Sequence, residues 1–516
     1  MSEPLVTLSD VSIRRAGRNS PVLDNFSLTV AAGETVVLLG ETRSGADALA
    51  RALSGVPSAS EAIAGSIRIG NRSSLAGDIA PYKAARIAYW PAPEHALAPN
   101  ASALAQLVRV VARKLSFSQA EARAEFAASL ERLRSRVTIQ DLARPAALVS
   151  PDVLSWGLLA CAVAQSPELL IADHPAGNVA PSVAGALVAA CLEAQKRQHF
   201  ALVCVTPRVD VTRRIDARTI ILRSGRMIEE GSIAQLAGEH AHTYTRALFH
   251  TQLSPDAAPA RPVGRGEPVL QVFNLLTKGK KADRRDALTF ALRRGASLAL
   301  VGDEGSGRRA LMRVLLGFER PAEGRIVFDS VDVGILSSTM LSRLRRRMAV
   351  IAGEDGALDP RLTVHDTVEE PLRARLHLTR ELLNNYRDAA LKRVGLAELE
   401  GSRLVAQLGP FDKRRLQVAR AIVGAPLLVI LDEPWRGLDA LARNAMRQLL
   451  VDFRKAEGPA FLVVTNDFAV ASALAEEALM FDDGKIVERG LLADLVKNPK
   501  EAATQRLVTA AKGGLS

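Results

Sequence analysis

Two stretches of this chain decide its fold: TVVLLGETRSGADALARALSG, from Thr35 to Gly55, and SLALVGDEGSGRRALMRVLLG, from Ser297 to Gly317. Each opens on a short continuous apolar run, which reads as a buried strand. Each then passes through a loop whose glycines keep one spacing (Gly40 and Gly45, Gly302 and Gly307) and enters a helical pattern. Strand, glycine loop and helix together form an anion cradle, because backbone N–H groups and the helix N-terminus converge on one point.

Working outward, the rest of the chain repeats with them. GSIRIG from Gly65 pairs with GRIVFD from Gly324, LLIADHP (Leu169–Pro175) with LVILDEP (Leu428–Pro434), and GRMIEEG (Gly225–Gly231) with GKIVERG (Gly484–Gly490). The shared order of these features marks an internal duplication. It predicts a first domain over 1–252, an exposed linker over 253–268 (LSPDAAPARPVGRGEP, rich in Pro, Ala and Gly) and a second domain over 269–516. Within each half, apolar runs such as VVLLG, LLIAD and ALVCVT alternate with helical segments, so the class is α/β with a largely parallel sheet covered on both faces. A helix-rich insert, SALAQLVRVVARKL and SQAEARAEFAASLERL in the first half, follows the loop helix.

Composition narrows the function. With 516 residues, 48% hydrophobic and 24% charged, the chain has the balance of a globular protein of two or more domains. The net charge of +11 leaves nucleic acid or an anionic surface open, but aromatics at 4% supply few base-stacking platforms, so there is no strong nucleic-acid signal. The densest basic run, Arg345 to Arg347, reads as a solvated face. Cys161, Cys191 and Cys204 lack metal or disulfide spacing and read as small buried hydrophobes. Trp90 and Trp156 read as core or interface fillers. The opening MSEPLVTLSD does not read as a secretory leader and no apolar run reads as long enough to span a bilayer, so any membrane role is expected to be peripheral.

The full phosphate-loop pattern, GxxxxGK[ST], adds a Lys for the β- and γ-phosphates and a hydroxyl for Mg²⁺. Here the loops read GETRSGAD and GDEGSGRR, with Ala46 and Arg308 in the Lys place and Asp47 and Arg309 in the hydroxyl place. LDPRLTVHDTVEEPL (Leu358–Leu372) and the tail AHTYTRALF (Ala241–Phe249) complete the pattern, although the second tail, NPKEAATQRLV, lacks the HPYT core. On these motifs the chain resembles the tandem ATP-binding-cassette (ABC) ATPases, specifically the peptide and nickel importer branch. The resemblance implies two cassettes, each a P-loop α/β core with a helical subdomain and an antiparallel β subdomain. It also implies ATP and Mg²⁺ as cofactors, membrane permease subunits as partners, and a cytoplasmic place at the inner face of the cell membrane.

In that family each ATP lies between the phosphate loop of one cassette and the signature loop of another, so the resemblance implies composite sites. One would use Gly40, Ser44, Gly45, Ala46, Asp47 and Asp173, with His174 in place of the water-polarising Glu, Pro207 in place of the switch His and Pro91 in place of the Q-loop Gln. Its opposing signature, LSGGQ in the family, is LGPFD (Leu408–Asp412). The other would use Gly302, Gly305, Ser306, Gly307, Arg308 and Arg309, with Asp432 orienting Mg²⁺ from the second shell and Glu433 as the candidate base. There the switch His is Asn466, the Q-loop Gln is Ala352, Asp439 remains, and the opposing signature is VSPDV (Val149–Val153). Losing one preorganised group costs about 2.7–4 kcal/mol of transition-state stabilisation, and such losses combine incompletely. The sequence therefore predicts near-background hydrolysis, with ATP binding more favourable in the second domain.

The bland readings run beside these. The strand-end carboxylates Asp173, Asp432 and Glu433 would cap neighbouring helices, His174 would be a surface histidine, and Arg308 and Arg309 would be solvated first-turn residues whose charge opposes the helix dipole. An adenine-stacking aromatic is missing from VSIRRAGRN and NLLTKGKKA. Three functions compete: an importer's peripheral ATP-binding subunit, a pseudo-ATPase scaffold or regulator, and a soluble tandem cassette of the translation-factor kind. The short Pro/Ala linker and the LDPRLTV stretch argue against the third.

Overall fold

The computed structural model describes residues 4–512 apart from 17–19, 42–43, 57, 59, 71, 76–85, 94–95, 178, 180, 251–265, 277–286, 304, 354–356 and 374–377. Most of the expected linker, and parts of both stretches searched for an adenine aromatic, lie outside the described residues. The chain divides into two compact units between Gln252 and Leu253. Pro268, the last residue of the expected linker, already opens the strand Pro268–Leu276.

The six-stranded sheet of the first unit runs, edge to edge, Arg226–Gly231, Arg218–Arg223, Thr35–Gly40, Ala201–Thr206, Leu169–Asp173 and Ile87–Trp90. That of the second unit runs Lys485–Leu491, Glu477–Asp482, Ser297–Val301, Ala460–Thr465, Leu428–Asp432 and Met348–Ala352, the same topology strand for strand. All neighbours are parallel except the first pair in each order, Arg226–Gly231 with Arg218–Arg223 and Lys485–Leu491 with Glu477–Asp482, which is antiparallel. Continuous apolar runs become central strands because both faces are covered: every residue of Leu169–Asp173 and Ala201–Thr206 is buried.

A four-stranded antiparallel sheet accompanies each core. In the first unit its order is Leu23–Val30, Val6–Arg15, Glu61–Ile69 and Arg72–Leu75; in the second it is Leu288–Arg293, Pro268–Leu276, Glu323–Phe328 and Val331–Asp332. These sheets pack with the phosphate-loop helix against one face of the large sheet, through Phe26, Leu49 and Val203 in the first unit and Phe328, Leu311 and Leu462 in the second. The other face carries the helical insert: Ala103–Leu115, Gln119–Arg132 and Pro151–Ala164, then Val364–Arg373, Arg380–Arg393 and Pro410–Gly424. Local chemistry sets the helix starts. Ser102 accepts from the Ala105 N–H, and Ser118 and Glu121 form a reciprocal capping box. Among the described residues no helix is long and apolar enough to cross a membrane.

Three side-chain readings are settled here. Cys161, Cys191 and Cys204 are buried free thiols, and burial pushes Cys161 and Cys191 up to about 12. Trp90 is buried, and Trp156 packs against the same core. Of the basic run, Arg346 and Arg347 are exposed as expected, whereas Arg345 is half-buried. Its guanidinium donates to the carbonyls of Leu316 (2.7 Å) and Gly317 (2.8 Å), satisfying acceptors that the phosphate-loop helix leaves open at its end.

Candidate functional site

Both phosphate loops end in a glycine that only glycine can occupy comfortably. Gly45 and Gly307 cap their helices at φ +95° and +98°, and a Cβ on Gly45 would lie 2.4 Å from the Val22 carbonyl oxygen. A Cβ on Gly40 would meet the Ser44 Oγ at 2.4 Å, and one on Gly302 the Ser306 Oγ at 2.8 Å. Ser44 and Ser306 are themselves buried. Gly305 also has positive φ (+85°) with open space around it. The described glycines of the two loops thus match in conformation and close approach, and the differences lie in the residues at the helix starts.

In the first unit Ala46 is wholly buried and offers no charge. Asp47, the next residue, lies 3.9 Å from His174 Nε2, and the same nitrogen lies 3.7 Å from Asp173 Oδ1. Asp173 is buried. Its Oδ2 accepts from Tyr89 Oη at 2.5 Å, whereas its Oδ1 accepts no hydrogen bond. Burial raises the Asp173 carboxyl against the lowering effects of His174 and Tyr89. Burial also works to raise Asp47, but the hydrogen bond and charge of His174 prevail and hold it below the usual carboxylate range. His174 adopts φ +50°, as Glu433 does at +45°, and each donates its N–H across to the following strand, to Val205 and Val464. The His174 backbone is therefore placed as that of Glu433 is, and its half-buried side chain has two acidic neighbours. Pro207, with no N–H, follows the strand Ala201–Thr206. Pro91 directly follows the edge strand Ile87–Trp90.

In the second unit the solvated reading of Arg308 fails outright: the residue is 7% exposed. Its Nη1 donates to Glu433 Oε1 at 3.4 Å and its Nε to Ser306 Oγ at 3.2 Å. Glu433 also accepts from Thr465 Oγ1 (2.9 Å, to Oε2) and from the Asn466 N–H (2.8 Å, to Oε1). Desolvation drives the Arg308 pKa down and the Glu433 pKa up, each opposed by the other's charge. Neither Glu433 nor Asp173 is a helix cap here. Arg309 is exposed, and the charges of both Asp432 and Arg309 act on Arg308. Asp439 caps the helix Ala440–Glu457 through the Ala442 N–H.

The signature segments open helices in both units. Ser150 caps Pro151–Ala164 by accepting from the Val153 N–H, and Gly409 precedes Pro410–Gly424. Proline at the first helical position removes one N–H from each N-terminus, and Asp152 and Asp412 add negative charge to each first turn. Both ends are thereby made poor for phosphate.

Sequence reasoning passed over several residues that complete these sites. Tyr89 holds Asp173, and Tyr244 of the tail helix donates to Glu41 of the first loop at 3.0 Å. Gln417 brackets the Q-loop position, donating to the Ala352 carbonyl (3.2 Å) and accepting its N–H (2.8 Å), while Arg414 donates to the Gly353 carbonyl. Gly353 is fixed by close approach, because a Cβ there would sit 2.2 Å from the Glu433 carbonyl oxygen. The available signal was position: Tyr89 lies two residues before the Q-loop place, and Gln417 lies one turn or two inside the signature helix.

A paired loop and strand end in each of two like-wound α/β units defines a nucleotide-binding cassette, and the family model described as ABC transporter matches residues 23–177 and 286–436. The chain belongs to the ABC transporter family, with two matched cassette regions. It is similar along its whole length to the ABC transporter ATP-binding protein YejF of Escherichia coli K12, at 28% identity over 98% of this chain and 99% of that protein. It is similar also to the peptidoglycan transport ATP-binding protein YejF of Agrobacterium fabrum, at 27% over 99% and 97%. The glutathione import ATP-binding protein GsiA of Escherichia coli K12 matches at 26% over 94% and 86%.

Proposed function

We propose that this chain is the ATP-binding subunit of an ABC importer of the peptide class, binding nucleotide in its second unit and hydrolysing it no faster than background. The observation that carries the reading is the engagement of Glu433. Arg308 and the Asn466 N–H occupy one carboxylate oxygen and Thr465 the other. A general base must present a free lone pair to the proton it takes, and protein donors already engage three of the roughly four acceptor sites of this carboxylate. His174 replaces the base in the first unit, and prolines open both signature helices. Support for the importer context comes from relatives that match end to end and are named for peptidoglycan transport and glutathione import.

The partner is a membrane permease, which would hold the chain at the inner face of the membrane. In the second unit a groove of about 640 Å³ runs beside the strand Met348–Ala352 and is lined by Phe318, Val350, Pro371 and Arg420 among others. Phe318 is 64% exposed there, which suits a partner's apolar side chain.

The second reading, an inactive scaffold or regulator within such a complex, is favoured by the bracket of Gln417 and Arg414 on Ala352 and Gly353. That bracket ties the helical subdomain to the sheet edge. Calorimetric titration of the full chain with ATP and with ADP, alongside phosphate release, separates the two. Micromolar binding without turnover supports the nucleotide-holding subunit; no binding up to millimolar ATP assigns the chain to the scaffold reading.

A further inference from the structure

We propose that the second unit takes its nucleotide as a metal-free polyphosphate, with arginine charge replacing the divalent cation. This rests on the nucleotide-binding reading above and specifies the form of the ligand. Mg²⁺ demands oxygen ligands in near-octahedral geometry, and the phosphate-loop pattern supplies one of them from the hydroxyl after the Lys place. In this unit that residue is Arg309, whose guanidinium only donates and cannot ligate a cation. The residues present therefore do not fit Mg²⁺.

What they do fit is an anion. Arg308 is buried at the helix start, and its charge is felt by both strand-end carboxylates, Glu433 at 3.4 Å and Asp432 beside it. Arg309 adds a second cation at the next position, close enough that its charge lowers the pKa of Arg308. Two guanidiniums thus stand against two carboxylates where a lysine, a hydroxyl and a metal would stand. Free ATP carries two more negative charges than its magnesium complex, and Arg309 gives this helix start one positive charge more than a lysine and a neutral hydroxyl supply, which favours the more highly charged form.

The first unit carries no guanidinium at its helix start. Asp47 occupies the hydroxyl place, and His174 lies 3.9 Å from it and 3.7 Å from Asp173. Ala46 leaves the start of the first phosphate-loop helix without a cation, so the metal-free anion site is confined to the second unit.

The test is calorimetric titration of the full chain with ATP at matched ionic strength, once with EDTA and once with Mg²⁺ in excess over nucleotide. Affinity is expected to be at least about tenfold higher in EDTA, and Arg309→Thr, which restores the hydroxyl, is expected to reverse that order. Binding that is equal or tighter with Mg²⁺ overturns the proposal while leaving nucleotide binding intact. An Arg309→Thr chain that keeps the full EDTA preference also overturns it, by removing Arg309 as the cause. Absence of binding in both buffers overturns the underlying reading as well.

Discussion

Replacing Arg308 by Met tests the ion pair on which the second site turns. The substitution keeps an unbranched side chain at a buried position but leaves Glu433, 17% exposed at its side chain, without its counter-charge. Breaking a buried pair from one side costs about 3–5 kcal/mol. Two features of this site reduce that figure. Thr465 and the Asn466 N–H remain at 2.9 and 2.8 Å, and the carboxyl, already raised by burial, takes up a proton and sheds the uncompensated charge. A loss of about 2–3 kcal/mol follows, or roughly 4–12 °C in the melting of a unit of this size.

The pH dependence has a definite sign. A carboxyl whose folded pKa is raised weakens the fold as pH climbs from its unfolded to its folded value, and the penalty is constant above that. The defect of Arg308→Met is therefore largest at neutral and alkaline pH and shrinks on acidification. The assay is thermal and urea unfolding of the full chain, following the transition of the second unit, for both single variants and for Arg308→Met/Glu433→Gln. The double variant is expected to recover about 1–3 kcal/mol of coupling. A coupling below about 0.3 kcal/mol would refute the pair.

Three further outcomes follow from the same structure. Glu61 accepts from Arg15 (2.6 Å) and Arg51 (2.7 Å) and, despite burial working to raise it, lies below its ordinary 4.5; Glu61→Gln should erase stability that wild type holds above that pH and loses as pH falls through the lowered value, read from acid-unfolding curves. Gln417→Leu leaves the Ala352 N–H and carbonyl without their partner, which should cost about 1–3 kcal/mol and speed hydrogen exchange at Ala352 and Gly353. The three thiols, buried and with raised pKa values, should resist maleimide in the native chain and react only on unfolding; labelling under native conditions would contradict their placement.

The fold was legible because it is written in periodicity and repetition. VVLLG, LLIAD and ALVCVT can satisfy their apolar side chains only between two covering layers, and the duplication supplied every such run twice. The sites were legible only in outline. Sequence shows which residue stands in the Lys place, but whether Arg308 points to solvent or lies buried depends on the acid it meets, and Glu433 is 125 positions away. Asp47 reads from the sequence only as an acid in the hydroxyl place, and its neighbour His174 lies 127 positions away, out of reach of any local spacing. Tyr89 and Gln417 escaped because each acts through a tertiary hydrogen bond that no local spacing announces. Arg345 read as a solvated charge because its acceptors, the carbonyls of Leu316 and Gly317, become available only where the preceding helix ends.

The most direct measurement of the account's central claim is steady-state phosphate release from ATP by the full chain and by its Ala46→Lys/Arg308→Lys variant, each assayed with and without Mg²⁺. Both chains should release phosphate at background, because Pro151 and Pro410 still open the signature helices, Asp47 and Arg309 still occupy the hydroxyl places, and His174 still replaces the base of the first unit. Robust turnover by the double variant would show that the two lysines were the whole defect and would contradict the account.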